Sequence, residues 1–560
     1  MSPSELLDQI RTHFRDTVLS HQSGKNHLFL TVASDTLTAM AGYLLHTWRA
    51  RLITSVGTDK VEMTGGYEVL FLFSLDHEGI IVVLKVPVDA KSPHIPSLTP
   101  VIPGADWCER EIKDLLGIIP EGHPSPRKLV LADDWPDDVH PLRKDFPYDL
   151  KPPRVKNVKP DLPELSEGQT VMVVGPFYPT LEEPAYFRLL VEGEKVVDCH
   201  YRGFYSHRGI EKLAETVMDY NKISFLAERI CGICGFVHST GYCQAVEAAG
   251  EIEVPARARY IRTIMLELER IHSHLLWLGL AGHIVGFDTV LMQSWRVREP
   301  VMWLSEQITG NRKTYGMNLV GGVRRDIPPE LYGKIKSTLG EIEAESRKIV
   351  DAIAGDTSFI KRLKHVGTLS KEDARKLCVV GPTARASGLG FDARVNYPYA
   401  AYGELGVKVP KYEAGDVWAR TLVRVDELFH SIDLIRQAIY NMPSGPIMAE
   451  PKSIPPWREG VSLLEAPRGE CCHYVLTGPD NRPYRWRVKA PTYSQLPAVP
   501  YMLETATVAD FPIIVGSIDP CFSCTERVEV VDHCTQGVRI YSQQELLNYK
   551  ISGGSAGGER

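Results

Sequence analysis

Two pairs of cysteines share the spacing that lets two thiolates bind one metal ion. Cys231 and Cys234 lie in RICGICG, and Cys521 and Cys524 lie in DPCFSC near the end of the chain. In a Cys-x-x-Cys segment the intervening turn brings both sulfur atoms to the same side, and flanking glycines relieve crowding of the backbone. This spacing alone is compatible with a structural zinc site and with a catalytic metal. A thioredoxin-like dithiol fits less well, because neither pair lies in a convincing strand-to-helix unit.

The positions and neighbours of the two pairs favour a catalytic metal over a structural zinc. Structural zinc pairs usually belong to one short module, whereas a long, mostly helical stretch separates Cys234 from Cys521. Ionisable residues flank both pairs: Arg229 and His238 lie around the first, and Asp519 precedes the second. A closed structural site has little use for such groups, but a site that moves protons and electrons requires them.

The composition is that of a large, slightly acidic globular protein. The 560 residues exceed the usual size of one domain, and 44% hydrophobic and 24% charged residues accompany a formal net charge of -7. This balance argues against nucleic acid as a partner. The N-terminus lacks the apolar core of a secretory signal, the 11 cysteines are scattered, and no apolar run is long enough to span a bilayer. We therefore expect a cytoplasmic protein, where thiols stay reduced.

Local patterns divide the chain into an N-terminal unit, a linker and a larger second unit. Residues 1–150 predict α/β structure, with an amphipathic opening helix and two strands joined by a turn in residues 68–88. Residues 151–165 contain four prolines among lysines and favour an extended linker. The second unit begins with strand-like segments and then becomes mostly helical. Its clearest helix covers residues 260–280, where apolar residues recur every three or four positions.

The two cysteine motifs also carry a resemblance to a known family. RICGICG followed by His238, together with DPCFSC, resembles the paired motifs of nickel-iron hydrogenase large subunits. Residues 104–146, from GADWCEREIKDLLG to HPLRKDF, resemble the 30-kDa-type subunit of respiratory complex I, and the chain from about Gly175 onward resembles its 49-kDa-type subunit. A fusion of those two modules that keeps all four cysteines is typical of the formate hydrogenlyase type, which is a complex I-related, membrane-bound nickel-iron hydrogenase.

The resemblance implies an α+β multidomain fold. Residues 1–150 would form an α/β assembly domain like the 30-kDa-type subunit, followed by the linker at residues 151–165. Residues 166–527 would form the catalytic domain, mainly helical with a small β portion. Residues 528–560 would be a C-terminal extension that a maturation protease removes after Arg527, once nickel has been inserted.

The same resemblance implies a role for each thiol. Cys231 and Cys521 correspond to terminal nickel ligands, and Cys234 and Cys524 correspond to ligands that bridge nickel and iron. The iron of the family carries carbon monoxide and cyanide. Soft thiolates suit nickel and can bridge to a neighbouring iron, so the implied chemistry agrees with the donor set. No cysteine set remains for an iron-sulfur cluster in this chain.

Four further residues match positions near the metals of the family. Glu183, in LEEPAYFRL, corresponds to a glutamate that relays protons from a terminal cysteine, although a surface carboxylate is the alternative. Arg468, with Pro467 beside it in EAPRG, corresponds to an arginine placed over the metal pair; the alternative is a surface arginine in a loop. An always-protonated group there would contribute electrostatic preorganisation. Asp519 would orient that arginine or the second cysteine pair, or would simply form an Asp-Pro turn.

Arg229 and His238 are expected to donate hydrogen bonds to sulfur, with simple packing as the alternative. Metal-bound sulfur atoms are commonly surrounded by such donors, which adjust the electron density of the ligand. The vicinal Cys471 and Cys472 match no role in the family and are interpreted as buried thiols.

The leading hypothesis is reversible reduction of protons to dihydrogen. Electrons would arrive through a small hydrogenase subunit with an iron-sulfur cluster. The implied partners also include a ferredoxin-like subunit, integral membrane subunits and formate dehydrogenase as the source of electrons. The chain would then lie in the cytoplasm, peripheral to the inner membrane. Two alternatives are a complex I-like quinone oxidoreductase subunit, a lineage that lacks the four thiols, and a zinc-stapled assembly scaffold.

Overall fold

The computed structural model describes most of the chain. It covers residues 1–15, 17–156, 158, 168–175, 177–178, 183–204, 207–450, 452–504, 506–522, 530–531 and 538–539. For residues 177–178, 183, 530–531 and 538–539 the description is limited to the backbone. Most of the predicted linker, Cys524 and Arg527 lie outside the described residues.

The N-terminal region is built on a five-stranded sheet. Its elements are α1 Pro3–His13, β1 Val18–Ser23, β2 His27–Val32, α2 Leu37–Thr47, β3 Arg51–Lys60, α3 Val61–Thr64, β4 Gly66–Leu75, β5 Ile80–Asp89, β6 His94–Pro96, α4 Asp106–Leu116 and β7 Ile119–Glu121. The strand order is β1-β2-β5-β4-β3; β2 and β5 run parallel and the other neighbours run antiparallel. Strands β4 and β5 form the predicted pair, with Leu75 opposite Ile80 across the turn.

A second group of elements combines short strands with long helices. They are β8 Thr170–Val174, β9 Phe177–Tyr178, β10 Glu183–Pro184, β11 Tyr186–Glu192, β12 Lys195–Arg202, α5 Ile210–Val217, α6 Tyr220–Ala227, α7 Gly235–Ala249, α8 Ala256–Ile284, α9 Asp288–Thr309, β13 Asn318–Leu319, β14 Gly322–Val323, α10 Glu330–Gly355, α11 Thr357–Leu363, α12 Lys371–Lys376, α13 Gly381–Ala386, α14 Ala393–Asn396 and α15 Val417–Tyr440. Helix α8 contains the predicted helix at residues 260–280. Its apolar repeat is buried against α9 and α15, as the spacing predicts.

The C-terminal elements form a hairpin, a third strand and several short helices. They are β15 Glu459–Ala466, β16 Gly469–Thr477, β17 Pro483–Lys489, α16 Pro491–Gln495, α17 Val499–Leu503, α18 Phe511–Ser517, β18 Val530–Val531 and β19 Val538–Arg539. Strands β15, β16 and β17 make an antiparallel sheet in that order. The mixture of a helical core with segregated small sheets confirms the α+β class, whereas the domain boundaries stay a prediction.

The five-stranded sheet packs against the β15–β17 sheet. One apolar cluster contains Ile53, Leu72 and Val83 from the first sheet and Leu463 and Tyr474 from the second. Burial of such side chains contributes about 25 cal/mol for each Å² of apolar surface removed from water. The two sequence regions therefore share one hydrophobic interior at this contact.

A buried ion pair crosses the same contact. Arg487 on β17 donates from Nη1 and Nη2 to the two carboxylate oxygens of Glu111 on α4, at 2.6 and 2.7 Å. Both side chains are almost entirely removed from solvent. A bidentate pair of this kind offsets the cost of burying each charge only while both partners are present.

None of the described helices combines the length and the apolar character required to cross a lipid bilayer.

Replacing one partner of the buried ion pair is expected to weaken the contact between the two sheets. Arg487→Met leaves the Glu111 carboxylate buried without its cation, which is expected to destabilise the chain by about 3–5 kcal/mol. Urea denaturation of the isolated chain, followed by tryptophan fluorescence, measures the effect. The double variant Arg487→Met with Glu111→Gln removes both charges and is expected to recover most of the loss. Equal destabilisation of the single and double variants would contradict this role.

Candidate metal centre

The first cysteine pair lies in the loop that joins α6 to α7. Cys234 is the residue immediately before α7, and the backbone N–H groups of Ile233 and Cys234 both donate to Cys231 Sγ, at 3.3 and 3.2 Å. Arg208 holds the preceding loop by donating to the carbonyl oxygens of Arg229 and Ile230, at 2.7 and 2.9 Å. The short Cys-x-x-Cys spacing thus produces a backbone nest around one sulfur, which stabilises negative charge on that atom.

The second cysteine motif lies next to the first in space, although it is near the other end of the sequence. Cys521 follows α18, and its Sγ lies 3.3 Å from Cys231 Sγ although 290 positions separate the two residues. Asp519 has a φ of 55°, in the left-handed region, although it directly precedes Pro520. Backbone strain of this kind persists only where the surroundings enforce it, and it is concentrated at functional sites. Cys524 lies outside the described residues.

The three described thiols form a buried cluster that suits a soft metal ion. Cys231, Cys234 and Cys521 are each at most 3% exposed. The pKa of Cys234 is raised well above its ordinary value by the hydrogen bond with Cys231, by burial and by the charges of Cys231 and Cys521. Thiolates crowded in a dry site repel one another, and a bound cation removes that penalty while it displaces the protons. The donor set and its burial therefore fit a thiolate-bound metal.

Arg468 lies at the tip of a hairpin, next to the thiol cluster. Pro467 and Arg468 form the two-residue turn between β15 and β16, in which Ala466 pairs with Gly469. The segment at Gly381 packs directly on this tip, because a Cβ on Gly381 would lie 2.3 Å from Arg468 O. Only a glycine allows so close an approach of two backbones. Gln495 Nε2 donates to Arg468 O at 2.6 Å and closes the other side of the turn.

Arg468 and Asp519 form a buried pair beside the thiols. The guanidinium donates from Nε to Asp519 O at 2.6 Å and from Nη2 to Asp519 Oδ1 at 2.7 Å. Burial alone would lower the pKa of Arg468, but the charges of Asp519 and of the three cysteines raise that pKa well above its ordinary value. Arg468 Nη1 and Asp519 Oδ2 are buried and have no hydrogen-bond partner among the described residues. One donor and one acceptor thus remain available at the metal centre.

His238 and Arg229 occupy different environments. His238 lies on α7, fully buried, and its pKa is lowered to about 4 by burial, although the charge of Cys231 raises it; the imidazole is therefore neutral at pH 7. Arg229 is half exposed and donates to Phe225 O and to Glu228 Oε2, both at 2.9 Å. These contacts place its guanidinium at the outer side of the cysteine loop.

Glu183 belongs to β10, whose backbone pairs with β9. The side chain of Glu183 lies outside the described residues, so its predicted role in proton transfer stays a prediction.

The structure also places a carboxyl group at the centre that the sequence reasoning missed. Glu269 on α8 accepts the backbone N–H groups of Phe236 and Val237, at 2.8 and 3.0 Å, in the first turn of α7. Burial raises the pKa of Glu269 to about 8, with a further contribution from the charge of Cys231. The sequence pattern that could have identified Glu269 is an acidic residue within the predicted buried face of a long helix. The raised pKa brings the proton affinity of this carboxyl group close to neutral pH, next to the thiol cluster.

Three family models match the chain in complementary segments. The model of the respiratory-chain NADH dehydrogenase 30 Kd subunit matches residues 30–152, and the model of the 49 Kd subunit matches residues 285–461 and 451–527. The model of nickel-dependent hydrogenases matches residues 208–290, which contain the first cysteine pair.

Similar proteins cover almost the whole chain. Formate hydrogenlyase subunit 5 of Escherichia coli (strain K12) is 42% identical over 96% of this chain and 96% of its own length. Hydrogenase-4 component G of the same organism is 42% identical over 98% of this chain and 96% of its own length. Among solved structures, a chain of the membrane-bound sulfane sulfur reductase, an archaeal respiratory membrane complex, has a TM-score of 0.62 at 30% identity, over 65% of this chain and all of that chain.

The buried thiol cluster, the matches to both complex I subunits and the near full-length similarity to two hydrogenase subunits lead to one conclusion. The chain belongs to the family of complex I-related nickel-iron hydrogenase large subunits in which a 30-kDa-type and a 49-kDa-type unit are fused, and it is an oxidoreductase of that hydrogenase type.

Proposed function

We propose that this chain is the catalytic subunit of a hydrogenase complex that reversibly reduces protons to dihydrogen. The observation that carries the proposal is the 3.3 Å approach of Cys231 Sγ and Cys521 Sγ beside the buried guanidinium of Arg468. A purely structural metal site has no need for a fixed cation at its edge, whereas an active site can use one to stabilise developing charge.

The proposed metal ligands are the four cysteines of the two motifs. Cys231 and Cys521 would be terminal ligands of nickel, and Cys234 and Cys524 would be shared between nickel and iron. Thiolates are the soft ligands that such metals favour. Carbon monoxide and cyanide would be the other ligands of the iron. When bound, the nickel-iron pair supplies the redox chemistry that interconverts protons and dihydrogen.

The residues around the thiols would orient reactants and hold protons. Asp519 fixes the guanidinium of Arg468 through two contacts, so its positive charge needs no reorganisation during turnover. Glu269, whose pKa burial raises, would hold a proton in the buried interior, and Glu183 would pass protons between a terminal cysteine and the solvent. The neutral imidazole of His238 would donate a hydrogen bond to sulfur.

Electrons would reach this chain through a partner subunit. We infer a small hydrogenase subunit with an iron-sulfur cluster, a ferredoxin-like subunit and integral membrane subunits, with formate dehydrogenase as the source of electrons. The similarity of the chain to a formate hydrogenlyase subunit and to a chain of a membrane-bound respiratory complex supports this assembly. The chain would then be cytoplasmic and peripheral to the inner membrane.

Metal content and infrared spectra distinguish the proposal from its alternatives. The matured complex, purified with its iron-sulfur partners, is expected to contain about one nickel for each copy of this chain and to show stretching bands of carbon monoxide and cyanide. A complex with a quinone-reducing subunit would contain no nickel and show no such bands, and a zinc-stapled scaffold would contain zinc without hydrogen activity. Absence of the bands from a fully matured complex would overturn the proposal.

Loss of a single ligand thiol is expected to abolish nickel binding and hydrogen evolution. Cys521→Ala removes a proposed nickel ligand, so nickel in the purified protein and hydrogen evolution with a reduced dye should both fall to background. Cys472→Ala is the matched control, because Cys472 is equally buried but belongs to the apolar cluster between the two sheets. If both variants lost nickel to the same degree, the thiols would be acting through the fold and not as ligands.

Arg468→Lys tests whether the positive charge of Arg468 is sufficient or whether its two hydrogen bonds to Asp519 are also required. Lysine keeps the positive charge but cannot make both contacts with Asp519, so kcat is expected to fall by about 10²–10³-fold, as for loss of one preorganised donor. Nickel content should stay unchanged, since Arg468 is not a ligand. An unchanged kcat in a nickel-loaded variant would remove Arg468 from the proposed active site.

The tail beyond Arg527 is proposed to be removed after nickel insertion. Cleavage by a maturation protease between Arg527 and Val528 would release residues 528–560, which lie after the last predicted ligand. Intact-mass spectrometry of the nickel-loaded protein is expected to detect a chain that ends at Arg527. A nickel-loaded, active chain that retains residues 528–560 would show that no such cleavage takes place.

A further inference from the structure

Three buried side chains outside the thiol cluster lie close enough together to hold a metal ion. The possible ligand atoms of His238, Cys471 and His473 all lie within 4.8 Å of one another, and all three residues are fully buried. The same positions are equally compatible with a chain of hydrogen bonds. The direction of each hydrogen bond decides between these two interpretations.

Trp486 sets the direction of the first hydrogen bond. Its indole Nε1–H lies 3.2 Å from His473 Nδ1, and an indole nitrogen can only donate. His473 Nδ1 must therefore present its lone pair. His473 is fully buried, and burial, with a further contribution from His238, holds its pKa well below the ordinary value, so the ring is neutral. A neutral imidazole whose Nδ1 accepts carries its proton on Nε2.

The protonated nitrogen of His473 faces His238. His473 Nε2 lies 3.2 Å from His238 Nδ1, so His473 donates and His238 Nδ1 accepts. A metal ion at this place would need the Nε2 lone pair of His473, which the proton occupies. Burial raises the pKa of Cys471 well above its ordinary value, so its thiol also stays protonated, 3.5 Å from His238 Nδ1. These assignments favour the hydrogen-bond chain over a metal site.

The remaining proton of His238 is then directed away from this chain. With Nδ1 accepting, the neutral ring of His238 carries its proton on Nε2, and this buried atom has no partner among the described residues. The backbone N–H of His238 donates to the backbone carbonyl oxygen of Cys234 at 3.3 Å, so the residue lies one helical turn beyond a predicted metal ligand. Its pKa also responds to the charge of Cys231.

We propose that Trp486 and His473 are positioning residues that fix His238 as an Nε2–H donor toward the sulfur atoms of the metal centre. The proposal rests on the proposed function, because it assigns a task to the sulfur environment of that centre. A donor to a metal-bound thiolate lowers its basicity and fixes its orientation.

The backbone places the rings of Trp486, His473 and His238 next to one another. In the β16–β17 ladder Trp486 pairs with Val475, which places it diagonally next to His473 on the same face of the sheet. Helix α7 approaches that face closely at Gly241, where a Cβ would lie 2.6 Å from His473 Cδ2. A larger residue at this position would push His238 away from His473.

Variants that remove one hydrogen bond at a time test the chain. Trp486→Phe keeps an aromatic ring but removes the donor that orients His473. Tyr242→Phe is the matched control, because the Tyr242 ring packs against Trp486 at 5.3 Å while its hydroxyl has no partner among the described residues. His473→Gln retains an acceptor and a donor and should substitute for histidine, whereas His473→Leu should not.

Two measurements on the matured, nickel-loaded complex report the outcome. Nitrogen NMR of the histidine-labelled protein should show His473 protonated on Nε2 alone, and Trp486→Phe should produce a mixture of both tautomers. The infrared band of metal-bound carbon monoxide should shift in the same direction in Trp486→Phe and His473→Leu, and kcat should fall about 10- to 100-fold. Tyr242→Phe and His473→Gln should leave the band in place.

The two proposals fail in different ways. If the unsubstituted complex shows no carbon monoxide band, the proposed function fails, and the NMR experiment still tests the tautomer of His473. If that band is present but neither it nor the tautomer changes in Trp486→Phe, the positioning role is wrong. An additional equivalent of zinc that is lost in Cys471→Ala would also overturn it, in favour of a metal site.

Discussion

The convergence of Cys231 and Cys521 is the constraint on which the rest of the structure depends. Their sulfur atoms lie 3.3 Å apart although 290 positions of sequence separate the two residues, and both residues are buried. Closing so long a loop costs chain entropy, and crowding thiols in a dry site costs electrostatic free energy. Packing of the helical core around α8 and α15 must therefore supply the free energy that offsets these two costs and holds both motifs in place.

A buried ionic network anchors the hairpin that carries Arg468. Arg270 on α8 donates to the carbonyl oxygens of Glu465 and Ala466, at 2.6 and 3.2 Å, immediately before the turn. Arg385 Nη1 lies 2.8 Å from the carboxylate of Glu465, whose pKa burial raises to about 7. Charged groups are costly to bury, but once paired in a fixed geometry they allow few alternative arrangements. The network thereby fixes the end of β15 and, through it, the position of the Arg468 guanidinium.

The N-terminal unit contributes to the same hairpin from outside. Its sheet covers one face of the β15–β17 sheet, and Arg51 on β3 makes a buried ion pair with Glu470 at 2.6 Å, two residues after Arg468 in β16. The N-terminal sheet therefore covers the back of the Arg468 hairpin, which is packed and charge-paired there.

The sequence by itself determined the local elements and contained both cysteine motifs. The spacing of apolar residues in α8 predicted a helix, and two apolar runs separated by the polar residues Asp76, His77 and Glu78 predicted the hairpin of β4 and β5, because these patterns depend on neighbours only a few positions away. Only the tertiary structure decided which polar groups meet. The contact of Glu269 on α8 with the first turn of α7 and the contact of His238 with His473 depend on how α7, α8 and the β15–β17 sheet pack together. No local spacing encodes such contacts, since they arise where elements distant in sequence exclude water from the same volume.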